Sequence, residues 1–124
     1  MSKSQRTKGA AGEREVVNII RDTLGLEVFR NLNQTREGGC DINLPPFCVE
    51  VKRRARIGQV YDWIRQAEDA CHLGERPVVI ARADGKGWLA IQPLNQWLSQ
   101  IREEAVEYSP DNIGNAGLTD GESQ

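Results

Sequence analysis

The chain has no run of apolar residues approaching the roughly 18 that a membrane-spanning helix needs, and its first eight residues, Met-Ser-Lys-Ser-Gln-Arg-Thr-Lys, lack the apolar stretch of a secretory signal. It has one histidine, His72, and three cysteines, Cys40, Cys48 and Cys71, with no Cys-x-x-Cys pair. That pattern offers no zinc-ligand spacing, and the odd count argues against a disulfide framework, so reduced cysteines without a metal role are expected. A soluble, cytoplasmic chain with no membrane partner is the corresponding expectation. With 124 residues there is room for one modest core and little for a separate substrate-binding module, so binding and any chemistry are expected to share one surface.

The formal charge of −2 hides an uneven distribution. Residues 1–102 hold all 16 Lys and Arg against 12 Asp and Glu, a balance of +4, while residues 103–124 hold six acids and no base, a balance of −6. A positive body with an acidic tail is compatible with a polyanionic partner. The tail is rich in Asn, Gly, Asp and Ser and is expected to be disordered, and residues 1–8 read as a flexible basic arm.

Between them the pattern is mixed. Val16, Val17, Ile20 and Leu24 recur at helical spacing and predict a helix over about residues 10–24, stopped by Gly25. Residues 26–32 read as a strand and residues 33–39 as a polar turn. Residues 40–44 and 47–52 are two short strands joined at Pro45-Pro46, a dipeptide that cannot sit inside a ladder, so a hairpin is expected. A second helix is predicted over residues 59–72, with Val60, Trp63, Ile64, Ala67 and Cys71 on one face and His72 at its C-terminus, where the helix dipole favours it. Residues 77–83 and 88–92 read as strands, and Pro93 opens a last helix through about residue 101, carrying Leu94, Trp97, Leu98 and Ile101 inward. Trp63, Trp88 and Trp97 are expected to pack in the core. The order is α-β-β-β-α-β-β-α, an α/β domain with helices on a central five-stranded sheet.

The most informative segment is Phe47-Cys-Val-Glu-Val-Lys52. Strand side chains alternate, so Glu50 and Lys52 project together while Phe47, Val49 and Val51 occupy the other face. Alone, such a pair is compatible with a surface ion pair. The hairpin brings Asp41 beside Glu50, however, and two converging carboxylates repel unless one keeps a proton or a cation lies between them. Mg2+ takes one or two carboxylates plus waters and substrate phosphate, and the Val51 carbonyl can add another oxygen. Glu13 lies on the same helical stripe as Val16, Val17, Ile20 and Leu24, so an acid points at the core and needs a partner, unless it only meets the helix dipole from the first turn.

Lys8-Gly-Ala-Ala-Gly-Glu13-Arg-Glu, Gly39-Cys-Asp41-Ile and Val49-Glu50-Val-Lys52 together resemble the PD-(D/E)-X-K nuclease superfamily and, within it, the small Holliday-junction-resolvase-like enzymes of archaea and phages. The resemblance covers roughly residues 8–92, with Cys40 standing where a proline often precedes the family aspartate. It implies a restriction-endonuclease-like mixed sheet, a nuclease domain over residues 9–102, and a catalytic set of Glu13, Asp41, Glu50 and Lys52. Asp41, Glu50 and the Val51 carbonyl would bind Mg2+ or Mn2+, with Glu13 as a further ligand through water or a second ion, and Lys52 would orient or deprotonate the attacking water. Branched DNA as substrate and a homodimer that cuts two strands symmetrically are further implications, with single-stranded, nicked or duplex DNA as an alternative substrate and non-catalytic DNA binding as an alternative role.

Arg53, Arg54 and Arg56 follow the catalytic strand directly and are candidate phosphate contacts, as are Lys8, Arg30 and Arg36. Lys3 and Arg6 on the arm, and Asn31, Asn33 and Gln34 before Asp41, are weaker candidates of the same kind. Each of these positions is equally compatible with a solvated surface. Gln66, on the second helix, stands where related nucleases often place a glutamine near the site, and is equally compatible with an exposed helical glutamine.

Overall fold

In the computed structural model, residues 3–32 and 39–107 are described. The chain divides into two compact units, Met1–Gln92 and Pro93–Gln124. The first unit holds helix α1 (Lys3–Leu24), strands β1 (Ile42–Leu44) and β2 (Phe47–Arg54), helix α2 (Val60–Ala70), and strands β3 (Arg76–Ala83) and β4 (Leu89–Ile91). The second holds helix α3 (Leu94–Glu107).

The four strands form one open mixed sheet in the order β1-β2-β3-β4. β1 and β2 are the antiparallel hairpin predicted around Pro45-Pro46, pairing Ile42 with Val49. β2 and β3 run parallel with α2 between them in sequence, in a register that sets Glu50 beside Val79 and Lys52 beside Ala81. β4 returns antiparallel to β3.

Alternation along β2 divides the core in two. Val49 and Val51 face α1, where they join Val16, Val17, Ile20, Val28 and Ile42 in one buried cluster. The opposite face packs Val79 and Ala81 against Trp63 and Ala67 of α2. Glu50 and Lys52 have the same parity as Val79 and Ala81, so they lie on the α2 side. Gly12 permits α1 to approach β2 closely: a Cβ there would stand 3.2 Å from the Arg53 Cβ and 3.5 Å from the Trp88 ring.

Several expectations are corrected. Four strands are found among the described residues, not five. Residues 26–32 contribute only an isolated bridge between Arg30 and Ile42, because β1 is three residues long and offers no ladder to extend. Of that segment Val28 is buried, whereas Leu26, Phe29 and Leu32 are exposed. Helix α1 begins at Lys3, well before residue 10, in a segment whose Lys3, Gln5, Arg6, Lys8 and Ala10 favour helix and which contains no proline to stop it, despite Ser4, Thr7 and Gly9. Leu24, expected inward, is exposed. Gly25 ends the helix as predicted, with φ +69° and its N–H on the Arg21 carbonyl at 2.9 Å.

Helix α2 stops at Ala70, so Cys71 is its extended C-cap and His72 lies beyond it. In α3 the residues Leu94, Trp97, Leu98 and Ile101, expected in the core, are all exposed. Of the three tryptophans Trp63 is buried and Trp97 exposed, and Trp88 is partly buried with its indole N–H on Glu15 Oε2 at 3.0 Å.

Candidate active site

Asp41 immediately precedes β1, and the register that pairs Ile42 with Val49 carries it toward Glu50. Its backbone carbonyl accepts the Asn31 N–H at 2.8 Å. Its carboxylate Oδ2 accepts the Val51 N–H, also at 2.8 Å, replacing the strand partner that the short β1 does not supply. In an extended residue the N–H and C=O point toward the same edge, so the Val51 carbonyl lies on the side occupied by Asp41.

Glu50 is only 1 % exposed, and its Oε2 has no hydrogen-bond partner. Burial pushes its pKa up to about 8, the Asp41 charge adds to the rise, and Lys52 opposes it. Lys52 is also buried, and its ammonium donates to Gln66 Oε1 on α2 at 2.7 Å. Burial lowers the Lys52 pKa while Glu50 resists the change. Both shifts have one origin: an acid and an amine placed where water does not solvate their charges.

Glu13 reaches the group from α1. Its partner is Arg30, expected from the sequence only as a phosphate contact, whose Nε donates to Glu13 Oε1 at 2.9 Å. Burial raises the Glu13 pKa, Asp41 adds to the rise, and Arg30 opposes it through both hydrogen bond and charge. Asp41 therefore stands close enough to Glu13, Glu50 and Lys52 to act on the protonation of all three, although the four residues arrive from a helix, a pre-strand residue and one strand.

A divalent cation fits this donor set. Glu50 Oε2 is a buried, unpartnered carboxylate oxygen beside a second carboxylate, and hard oxygen donors suit Mg2+. Glu13, Asp41 and Glu50 do not bring three ligand atoms within 4.8 Å of one another; among the described residues only Cys48, Cys71 and Glu75 do so. Mg2+ needs no more than one or two carboxylates, the remaining positions being filled by water and phosphate.

The basic residues singled out in the sequence are differently placed. Arg30 is held by Glu13, Lys8 pairs with Asp84 at 3.1 Å, and the Arg54 guanidinium lies over the Trp63 ring, 5.9 Å from its centroid. Arg53 packs beneath Gly12, and its Nε is buried without a partner. Arg56 is exposed. Asn33, Gln34 and Arg36 lie outside the described residues, as do the acidic tail beyond residue 107 and the side chains of Lys3 and Arg6.

Arg14 and Arg21 were missed. Together with Arg30 they line an open cleft of about 320 Å³ that also takes in Phe29 and Leu32. The spacing of Arg14, Asn18 and Arg21, four and seven residues along α1, was the available signal.

Comparison with known proteins agrees with the motif. The model of the family described as "Phage putative PDDEXK endonuclease" matches residues 4–119, which span Glu13, Asp41, Glu50 and Lys52. No curated protein and no solved structure matches the chain. With nearly its whole length inside that match, the chain belongs to this phage family of PD-(D/E)XK endonucleases.

Proposed function

We propose that the chain is a metal-dependent DNA endonuclease that hydrolyses phosphodiester bonds at the site formed by Asp41, Glu50 and Lys52. One observation carries this reading: a fully buried glutamate with an unpartnered oxygen, flanked by a second carboxylate and a buried lysine. Leaving such a group uncompensated costs several kcal/mol, which a stability role alone does not offset.

In the proposed assignment Asp41, Glu50 and the Val51 carbonyl hold Mg2+, for which Mn2+ can substitute. The ion supplies positive charge against the phosphoryl oxygens and makes water more acidic. Lys52 orients the attacking water, and its lowered pKa brings its amine nearer the range in which it can take a proton. Gln66 fixes the Lys52 amine, and Arg30 fixes Glu13 beside Asp41. The arginine-lined cleft supports a polyanionic strand running past Glu13, with Arg56 contacting phosphates beyond β2.

The proposed substrate is branched DNA, four-way junctions first, and this rests on the resemblance of the motif set to junction resolvases. A chain with one site cuts one strand per encounter, so symmetric cutting of two strands requires a homodimer.

The test is cleavage of strand-labelled four-way junction, flap, single-stranded and duplex DNA in Mg2+ or Mn2+. The expected result is metal-dependent cutting, strongest on the junction and abolished by Asp41→Ala and by Lys52→Ala. Cutting that survives either substitution removes this site, equal cutting of all four substrates removes the junction preference, and no cutting of any removes the nuclease.

A further inference from the structure

We propose that Cys48, Cys71 and Glu75 form a second metal site, selective for Zn2+ or a similar thiolate-binding divalent ion and distinct from the acidic site. Their ligand atoms all lie within 4.8 Å of one another. Cys48 comes from β2, whereas Cys71, the C-cap of α2, and Glu75, the residue before β3, lie in one short connection. Folding brings Cys48 to Cys71 and Glu75, so the cluster carries no Cys-x-x-Cys signature.

The donors are arranged as a binding site requires. Cys48 is completely buried on the sheet, while Cys71 and Glu75 are partly exposed. The Glu75 carboxylate is already oriented, because its Oε1 accepts the His72 backbone N–H at 2.8 Å, leaving its other oxygen for an ion. Holding a ligand by a second hydrogen bond is the usual way in which a metal-binding side chain is fixed in place. Glu75 and His72 also line an open cleft of about 440 Å³, so the Glu75 side of the cluster borders solvent.

With Zn–S near 2.3 Å and Zn–O near 2.0–2.2 Å, a tetrahedral ion needs its ligand atoms about 3.5–3.8 Å apart, so the present cluster closes around it by side-chain rotation of roughly an ångström. On binding, both thiols release their protons to solvent. Two thiolates and one carboxylate then leave the bound divalent ion with a net charge of −1, and a water on the cleft side fills the fourth corner. Cys40 lies beside Cys48, but its Sγ is engaged elsewhere, donating to the Ile42 carbonyl at 3.1 Å. Sulfur selects Zn2+ over Mg2+, whereas the all-oxygen acidic site has the opposite preference. Occupancy would tie β2, two residues before Glu50, to the end of α2.

The experiment uses the full chain, kept reduced with a phosphine, stripped with a chelator and titrated with Co2+ as the probe. One equivalent should produce a thiolate-to-cobalt charge-transfer band that Zn2+ displaces and millimolar Mg2+ does not. Cys71→Ser should abolish the band, Asp41→Ala should leave it, and Glu75→Gln, with an unchanged circular dichroism spectrum, should weaken Co2+ binding at least about tenfold. The absence of a thiolate band overturns the proposal, as does a band of full strength in Cys71→Ser. If Cys71→Ser does not fold, unaltered affinity in Glu75→Gln overturns it instead.

Discussion

The Lys52 ammonium donates to Gln66 Oε1 across 2.7 Å, which ties the middle of β2 to the helix packed over it. The acceptor is neutral, so it holds the amine in place without adding a charge to a site that already contains three acids. In the proposed assignment Gln66 would therefore act through Lys52 as a positioning residue.

Gln66→Ala should lower kcat by roughly 10- to 100-fold, the cost of losing about an ångström of registration, while KM changes little. Removing an acceptor that favours the charged amine should also lower the Lys52 pKa further, so the corresponding limb of the pH–rate profile moves to lower pH. Gln66→Asn, with its shorter reach, should not restore the rate. Equal losses in kcat and stability with an unmoved pH profile would assign Gln66 a structural role only.

Glu50 gives the metal-free protein a distinctive pH dependence. Its pKa rises from 4.5 to about 8 on folding, so folding favours the protonated carboxyl. The stability of the metal-free protein is therefore greatest below pH 4.5 with respect to this group, falls as pH rises through the interval to about 8, and levels off above it. Lys52 acts in the opposite sense, recovering stability as pH climbs toward its ordinary 10.5. Urea midpoints measured with a chelator at pH 5 and pH 8 should show a loss between them that Glu50→Gln removes and millimolar Mg2+ reduces. An unchanged slope in Glu50→Gln would mean that Glu50 titrates normally.

The Glu13–Arg30 pair is partly buried, with side chains 18 % and 26 % exposed, so solvent screens it less than a surface pair. A double-mutant cycle on Glu13→Gln and Arg30→Ala should give a coupling of about 1 kcal/mol in stability. Arg30→Ala alone should raise the Glu13 pKa, because both a hydrogen bond and a positive charge that lower it are lost. Additive effects of the two substitutions, read from chemical denaturation, would mean that the pair contributes nothing.

What the sequence made legible was governed by local periodicity. Period-2 alternation in Phe47–Arg54 was enough to put Glu50 and Lys52 on one face, and Pro45-Pro46 was enough to define the hairpin that delivers Asp41. Glu13 was readable as an anomaly on an apolar stripe, but its partner Arg30 was not, because that pairing spans 17 residues and depends on where the chain after Gly25 returns. Tertiary context misled elsewhere. A strand-like pattern over residues 26–32 found only a three-residue neighbour to pair with, and the apolar stripe of α3 is exposed. The metal-ligand cluster was invisible because Cys48 stands more than twenty residues before Cys71 and Glu75 and meets them only when α2 packs on the sheet.

Gly12 links helix packing to the position of Glu13, its neighbour in the chain. A Cβ at residue 12 would lie 3.2 Å from the Arg53 Cβ, a tight contact with an atom that cannot swing away, and 3.5 Å from the Trp88 ring. Alanine removes glycine's helix penalty of about 1 kcal/mol but incurs that contact, so Gly12→Ala should be close to neutral in stability. Leucine has no space between Arg53 and Trp88 and should destabilise by about 1–3 kcal/mol, the usual cost of overpacking. Because α1 can relieve the clash only by lifting away from β2, Gly12→Leu should also withdraw Glu13 from Asp41 and reduce cleavage by more than the loss of folded protein explains. Thermal melts and cleavage rates measured on the folded fraction check this. A Gly12→Leu variant with native stability and native rate would show that α1 does not set the distance of Glu13 from the site.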